Sequence, residues 1–221
     1  MTTVVWYRQD LRVRDHDALL DACARGPVVP VYCWHPEGEG AWPLGGAQRW
    51  WLDRSLRALA RELESRGSRL LVRSGDPADE LASVARAAGA VRVACTRRHE
   101  PAAMREEERV ADALEAAGLR LERIGSGLLF DPFEVRSGTG TPYKVFTPFW
   151  KACMSRPAPA EPRPAPTRIA APAQWPAGTT VDSLGLLPRI AWYAGMEKAW
   201  TPGEAGAMDR ARAFASGPIA G

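Results

Sequence analysis

The sequence predicts an α/β fold built on a doubly wound five-stranded parallel sheet, and three observations carry that prediction. Short apolar runs alternate with helical stretches of 10–15 residues over the first 124 positions, the order that produces right-handed βαβ units. Gly67, Gly89 and Gly118 each follow a helical stretch, where a C-terminal cap needs a residue free to turn left-handed. A unit of about 125 residues also buries roughly two-thirds of its surface, enough to fold alone.

The elements follow in order. Residues 3–7 read as a first strand, 17–25 as a helix, and Val28 to Trp34 as a second strand. A long amphipathic helix is expected over about 47–66, where Trp51, Leu52, Leu56, Leu59 and Leu63 recur at helical spacing. Arg69 to Arg73 gives a third strand, Pro77 to Ala88 a helix, and Val91 to Cys95 a fourth strand. Ala102 to Ala117 is the next helix, and Leu119 to Ile124 the fifth strand. The sheet is thus Rossmann-like, although Gly38-Glu39-Gly40 and Gly125-Ser126-Gly127 both lack the third glycine of the dinucleotide-binding fingerprint.

The character then changes. Residues 125–151 read as a loop region rich in glycine and aromatic residues, with Tyr143, Phe146, Phe149 and Trp150 expected in the core that seals the domain. Residues 157–176 carry seven prolines and read as a polyproline-biased linker able to cross the face of a domain. A helix is expected near 204–215, opened by Pro202-Gly203-Glu204. A helix of that length is marginal in water unless its apolar face is packed. Trp175, Trp192, Trp200, Met208 and Phe214 must therefore pack on the first domain or belong to a second one.

Composition narrows the function classes. Hydrophobic content of 46% and charged content of 25% suit a soluble globular protein. A net charge of +3 does not demand a nucleic-acid partner. No apolar run approaches the roughly 20 residues that span a bilayer, and the start lacks a signal-peptide profile, so a cytoplasmic protein with no membrane contact is expected. Cys23, Cys33, Cys95 and Cys153 stand far apart and read as reduced thiols. His16, His35 and His99 have no metal-ligand spacing.

Chemistry concentrates at Trp6-Tyr7-Arg8-Gln9-Asp10-Leu11-Arg12, on the turn leaving the first strand. Strand ends are where open α/β sheets grip ligands. On the chemistry alone the favoured explanation is structural, with Arg8 or Arg12 pairing Asp10 or Asp15 to fix the turn. The run Arg105-Glu106-Glu107-Glu108-Arg109 reads as a solvated helix face, and Arg97-Arg98 as rim residues, with DNA or a phosphate-like group as the competing role.

The order of residues says more. The aromatic, arginine and aspartate pattern from Trp6 through Asp15 to Ala18-Leu19 resembles the amino-terminal signature of the photolyase/cryptochrome family. Gly140-Thr141-Pro142-Tyr143-Lys144-Val145-Phe146-Thr147-Pro148-Phe149-Trp150-Lys151 is similar to the family segment that closes its first domain. Trp200-Thr201-Pro202-Gly203-Glu204-Ala205-Gly206-Ala207 is similar to the entry into its helical domain. The resemblance implies an antenna domain over 1–130, a loop and Pro-rich linker over 131–199, and the truncated start of a helical FAD-binding domain over 200–221. It also implies light-driven splitting of cyclobutane pyrimidine dimers in UV-damaged DNA by electron transfer from reduced FAD, in a monomeric deoxyribodipyrimidine photo-lyase. Flipping the lesion out of the stack is the general solution for such chemistry. The family's flavin-binding Thr-Ser-x-Leu-Ser-Pro-like motif does not occur in 1–221, so no catalytic residue is assigned and the chain alone is expected to be inactive.

The family's first domain holds an antenna chromophore, a folate or a deazaflavin. The resemblance places Arg8, Cys33, Trp34, Gln48 and Glu100 around its pocket. The folate motif is not matched: Ala102 and Ala103 stand where folate-binding members carry an amide and a carboxylate, and Trp42 where they carry histidine. A deazaflavin, another chromophore or a filled pocket stay open. A cryptochrome-type photoreceptor, or a stand-alone ligand- or partner-binding module, are the alternatives to the repair enzyme.

Overall fold

The computed structural model describes residues 1–36 and 43–217; Gly38, Gly40 and Trp42 lie outside the described residues. Its frame is β1 (Thr2–Tyr7), α1 (Asp17–Arg25), β2 (Val28–Trp34), α2 (Gly46–Glu64), β3 (Leu71–Ser74), α3 (Pro77–Ala87), β4 (Ala90–Cys95), α4 (Pro101–Ala116) and β5 (Arg120–Arg123). All neighbouring strands pair in parallel, in the order β3-β2-β1-β4-β5. The sheet grows outward from β1 in both directions, so the connections wind onto both faces.

Each face has its own core, because alternate strand residues point to opposite sides. Val4, Trp6, Val29, Val31 and Val93 pack against Leu81, Val84 and Ala85 of α3 and Val110 and Leu114 of α4. Val5, Tyr7, Val28 and Ala94 pack instead against Leu19 and Ala22 of α1 and Leu59 and Leu63 of α2. Helix ends follow the sequence: Asp76 caps α3 by accepting from the Ala78 amide, Pro77 occupies its first turn, and Gly89 lies left-handed at φ +60°. His16 Nδ1 accepts from the Leu19 amide at 3.1 Å, which caps α1 with an imidazole. On β4, buried Arg92 is held by Asp21, Glu122 and the Thr3 hydroxyl.

The proline-rich stretch crosses the α1/α2 face as an extended strap. Ile169 is buried in that core, its amide donates to the Arg66 carbonyl at 2.9 Å, and the Ala170 carbonyl accepts from the Val28 amide. Arg163 and Asp15 exchange backbone and carboxylate bonds further along. Among the described residues three further α-helices follow β5: α5 (Phe146–Met154), α6 (Ala194–Ala199) and α7 (Glu204–Ser216), with a 3-10 turn at Asp182–Leu184.

Two expectations are corrected. Residues 146–154 form a helix where a loop was expected, and their aromatic side chains do not seal a core. Phe146, Phe149 and Trp150 are exposed, Phe146 to 70%, and Phe146 stacks on Trp150 at 6.1 Å. An i,i+4 apolar pair marks a helix, but it does not say whether the stripe it belongs to is covered. The charge run on α4 is likewise not wholly solvated: Glu107 is 1% exposed.

Candidate binding site at the sheet switch point

Because β2 and β4 flank β1 on opposite sides, the loops after β1 and β4 diverge and leave a crevice at the carboxyl edge of the sheet. Ligands of open α/β sheets bind at such a switch point. A cavity of about 800 Å³ opens there, within the size range of small-molecule sites. Trp6 of β1, Tyr32 and Trp34 of β2, and Trp51 of α2 supply aromatic walls. Ala102, Ala103 and Glu106 of α4 close one side. Gly203, Glu204, Ala207 and Met208 bring α7 to the mouth.

All five residues singled out from the sequence line this one cavity. Their roles differ. Arg8 is buried at its floor and already committed: its guanidinium lies 4.4 Å over the Trp6 ring, donates to Glu107 at 2.5 Å and donates to the Thr96 carbonyl. It therefore bolts the β1 loop to the β4 loop. Cys33 is buried, and its thiol is pushed well above its ordinary range by burial first and by the Glu80 carboxylate second. Such a thiol is a poor nucleophile. Trp34 packs among Tyr32, Leu56, Val72, Leu184 and Leu186. Gln48 is exposed in the first turn of α2, and its Oε1 accepts from the Gly45 amide at 2.9 Å. Glu100 precedes α4, where Arg98 at 3.1 Å, more than any other group, holds its carboxyl below the ordinary value.

The expected turn-fixing partners of Arg8 and Arg12 are only partly right. Asp10 takes the Arg8 amide, whereas the guanidinium of Arg8 goes to Glu107 and that of Arg12 to backbone carbonyls of Arg14 and Asp15. Glu107 also accepts from the Arg98 amide at 3.0 Å and from Arg123 at 2.8 Å. Asp10 sits 2.9 Å from His16 Nε2. Since Nδ1 of that ring is an acceptor for Leu19, Nε2 carries the proton and donates.

Sequence reasoning missed Trp51, Glu106 and Glu204. Adjacent Trp50 and Trp51 held one signal: on a helix they point about 100° apart, so both cannot face the core. Trp50 is fully buried, while Trp51 lines the cavity and meets Trp200 edge-on at 5.9 Å. Glu106 lies 3.5 Å from His35. The Glu204 carboxylate accepts from the amides of Val13 at 2.8 Å and Arg14 at 3.1 Å, which clasps α7 onto the loop after β1. Nothing local in the sequence announces that long-range contact.

A profile of the DNA photolyase family matches residues 3–167. The chain belongs to the DNA photolyase family. Among photolyases and cryptochromes, it is 38% identical over 220 residues to the deoxyribodipyrimidine photo-lyase of Agrobacterium fabrum, covering 99% of this chain and 45% of that protein. It is 32% identical to cryptochrome-1 of Arabidopsis thaliana, covering 98% of this chain and 32% of the plant protein. The crystal structure of a class III photolyase from Agrobacterium tumefaciens superimposes with a TM-score of 0.90 at 38% identity, over 98% of this chain and 45% of that one. The chain thus spans less than half the length of these photolyase and cryptochrome relatives. Among the described residues, no helix is long and apolar enough to cross a membrane.

Proposed function

We propose that residues 1–130 form the light-harvesting domain of a photolyase that repairs cyclobutane pyrimidine dimers in UV-damaged DNA, with 131–199 as the linker and 200–221 as the start of the helical part. The observation that carries the reading is the aromatic-walled cavity of about 800 Å³ at the switch point, lined by Arg8, Cys33, Trp34, Gln48 and Glu100. It has the size and aromatic lining for a flat ring system, deazaflavin or folate. When bound, such a chromophore supplies absorption of near-ultraviolet or blue light and passage of its excitation energy to FAD. The electron-transfer step belongs to the helical half of the family fold, and no residue of 1–221 is assigned to it.

The chain's own residues hold and shield. Trp34 and Tyr32 offer flat apolar surface for stacking. Ala102 and Ala103 leave room but no polar grip, which favours a deazaflavin-like ring over a folate held in the family's usual way. The oxygen of the Gln48 amide is fixed on Gly45, and its NH2, which has no partner among the described residues, would orient a ring carbonyl. Met208 and Ala207 of α7 restrict access of water at the mouth. A monomeric, cytoplasmic protein acting on DNA completes the reading.

The test is a titration of the purified chain with a deazaflavin and with methenyltetrahydrofolate, read by fluorescence. One of them is expected to bind, and Ala103→Trp, which fills the cavity, is expected to abolish binding without unfolding the chain. Failure of both to bind overturns the antenna reading. Stoichiometric FAD in the purified chain, or dimer repair by it, overturns the division of labour. The similarity to a plant cryptochrome supports a second reading, a blue-light receptor built on the same half. Dimer repair by a protein carrying this half together with its helical part separates the two.

A further inference from the structure

Beside the main cavity lies a smaller recess of about 290 Å³, which shares Arg8, Gln9, Asp10, Arg98 and Glu100 with it. Its far wall is built by Arg97 and His99, ahead of α4, and by Ser126 and Gly127, after β5. The shared charges are already spent. Arg8 is paired with Glu107, Arg98 with Glu100, and Asp10 with His16.

The far wall is not spent. Among the described residues Arg97 has no ion-pair partner, and its guanidinium rests 5.8 Å over the Phe133 ring. Among the described residues both ring nitrogens of His99 are shut off from solvent and make no hydrogen bond, while the ring leans on the same Phe133 at 5.6 Å. An imidazole always carries at least one N–H, so a buried donor is left without an acceptor, a costly arrangement unless something else satisfies it. The amides of Ser126 and Gly127 donate no hydrogen bond among the described residues. Phe133 carries the guanidinium of Arg97, that of Arg136 and the ring of His99 on one side chain, so a cation without an ion-pair partner among the described residues stands beside the unbonded amides of Ser126 and Gly127. What is missing there is an acceptor with negative charge.

We propose that this recess is an anion subsite, which takes the phosphate or carboxylate tail of the same flat aromatic ligand whose ring lies in the main cavity. The tail half of the proposal rests on the chromophore reading above; the anion half stands on Arg97 and the amides of Ser126 and Gly127. The two spaces adjoin along Arg8, Gln9 and Asp10, and the proposal has one molecule reach from the first into the second. A DNA phosphate has the same charge, but it would not need an aromatic-walled chamber beside it.

The test compares riboflavin with its phosphomonoester, FMN, which share a deazaflavin-like ring and differ in the anion. FMN is expected to bind the 221-residue chain at least about tenfold tighter than riboflavin, as one charge-assisted contact implies. Arg97→Gln should bring the two within about twofold while leaving riboflavin affinity unchanged, and Arg97→Lys should restore most of the preference. Equal affinities in the unmodified chain, or a preference that survives Arg97→Gln, overturn the subsite. Inorganic phosphate alone supplies an arm that does not depend on the ring. If it raises Tm in the unmodified chain and not in Arg97→Gln, the anion subsite stands even where riboflavin fails to bind, and the chromophore reading falls. If riboflavin binds but phosphate and FMN show no advantage, the reverse holds. Displacement of FMN by a short duplex at matched concentration would assign the recess to DNA and overturn the tail assignment.

Discussion

Replacing Glu107 by glutamine should destabilise the chain more than any comparably small change on its surface. The carboxylate is 2% exposed and accepts three hydrogen bonds, from Arg8 at 2.5 Å, Arg123 at 2.8 Å and the Arg98 amide at 3.0 Å. The glutamine is nearly isosteric, so no cavity opens. It does remove the charge that compensates Arg8, whose side chain is 7% exposed, and it turns one acceptor into an NH2 facing a guanidinium. Breaking a buried pair in this way costs about 3–5 kcal/mol. For a chain of this length that corresponds to a fall in Tm of roughly 6–20 °C. Urea unfolding followed by tryptophan fluorescence and by circular dichroism measures it. The same argument makes a second demand. Arg8→Met in the Glu107→Gln background removes the stranded cation, so the double variant should be more stable than Glu107→Gln alone. A loss below about 1 kcal/mol, or a double variant no better than the single one, would refute the reasoning that Arg8 is a buried charge held by Glu107.

Three further outcomes are expected. Burial alone would raise the Asp10 carboxyl, but hydrogen bonds from His16, Thr96 and the Arg8 amide outweigh it and hold the group well below the ordinary carboxylate range. A depressed folded value means that this stability is complete above about pH 4 and is lost as pH falls further; Asp10→Asn should therefore flatten the fall in unfolding free energy between pH 4 and 2. Glu204→Ala frees the amides of Val13 and Arg14, so their hydrogen exchange should speed up by about tenfold or more while exchange in β1 and β4 stays unchanged. Serine at Phe146 or Trp150, both exposed, should change stability by less than about 0.5 kcal/mol; a core-sized loss on urea unfolding would return these side chains to the interior.

The frame was legible because its signals are local. Helix α1 (Asp17–Arg25) and β2 (Val28–Trp34) match the expected spans, and the three glycines foreseen after helices adopt positive φ at Gly67, Gly89 and Gly118. The five residues that the family resemblance placed around a pocket line one cavity at the carboxyl edge of the sheet. What could not be read were the partners of charged residues. Glu107 lies within a run of five charges and looks no different from Glu108, yet helical phase turns one into the core and the other into water. Helix α5 was hidden for a different reason: Pro148 within it and Gly140 before it are turn signals, but a proline in the first turn of a helix sacrifices no hydrogen bond. The clasp of Glu204 on Val13 joins residues 191 apart, a separation at which no pattern in the chain carries information.

The charged groups at the carboxyl edge of the sheet are satisfied mainly by one another. At the carboxyl edge of the sheet the charges that looked most catalytic in the sequence are used up internally: Arg8 on Glu107 and Asp10 on His16. Cys33, which lines the cavity, has its thiol driven upward by burial and so away from the reactive thiolate. At the floor closed ion pairs make a rigid base, the walls are aromatic, and Arg97, without an ion-pair partner among the described residues, lies to the side. On the light-harvesting role proposed above, rigidity of that base matters directly, because excitation transfer depends on the fixed distance and orientation of the chromophore. The Arg8–Thr96 bond across the crevice and the Glu204 clasp over its mouth are the two contacts that would set them.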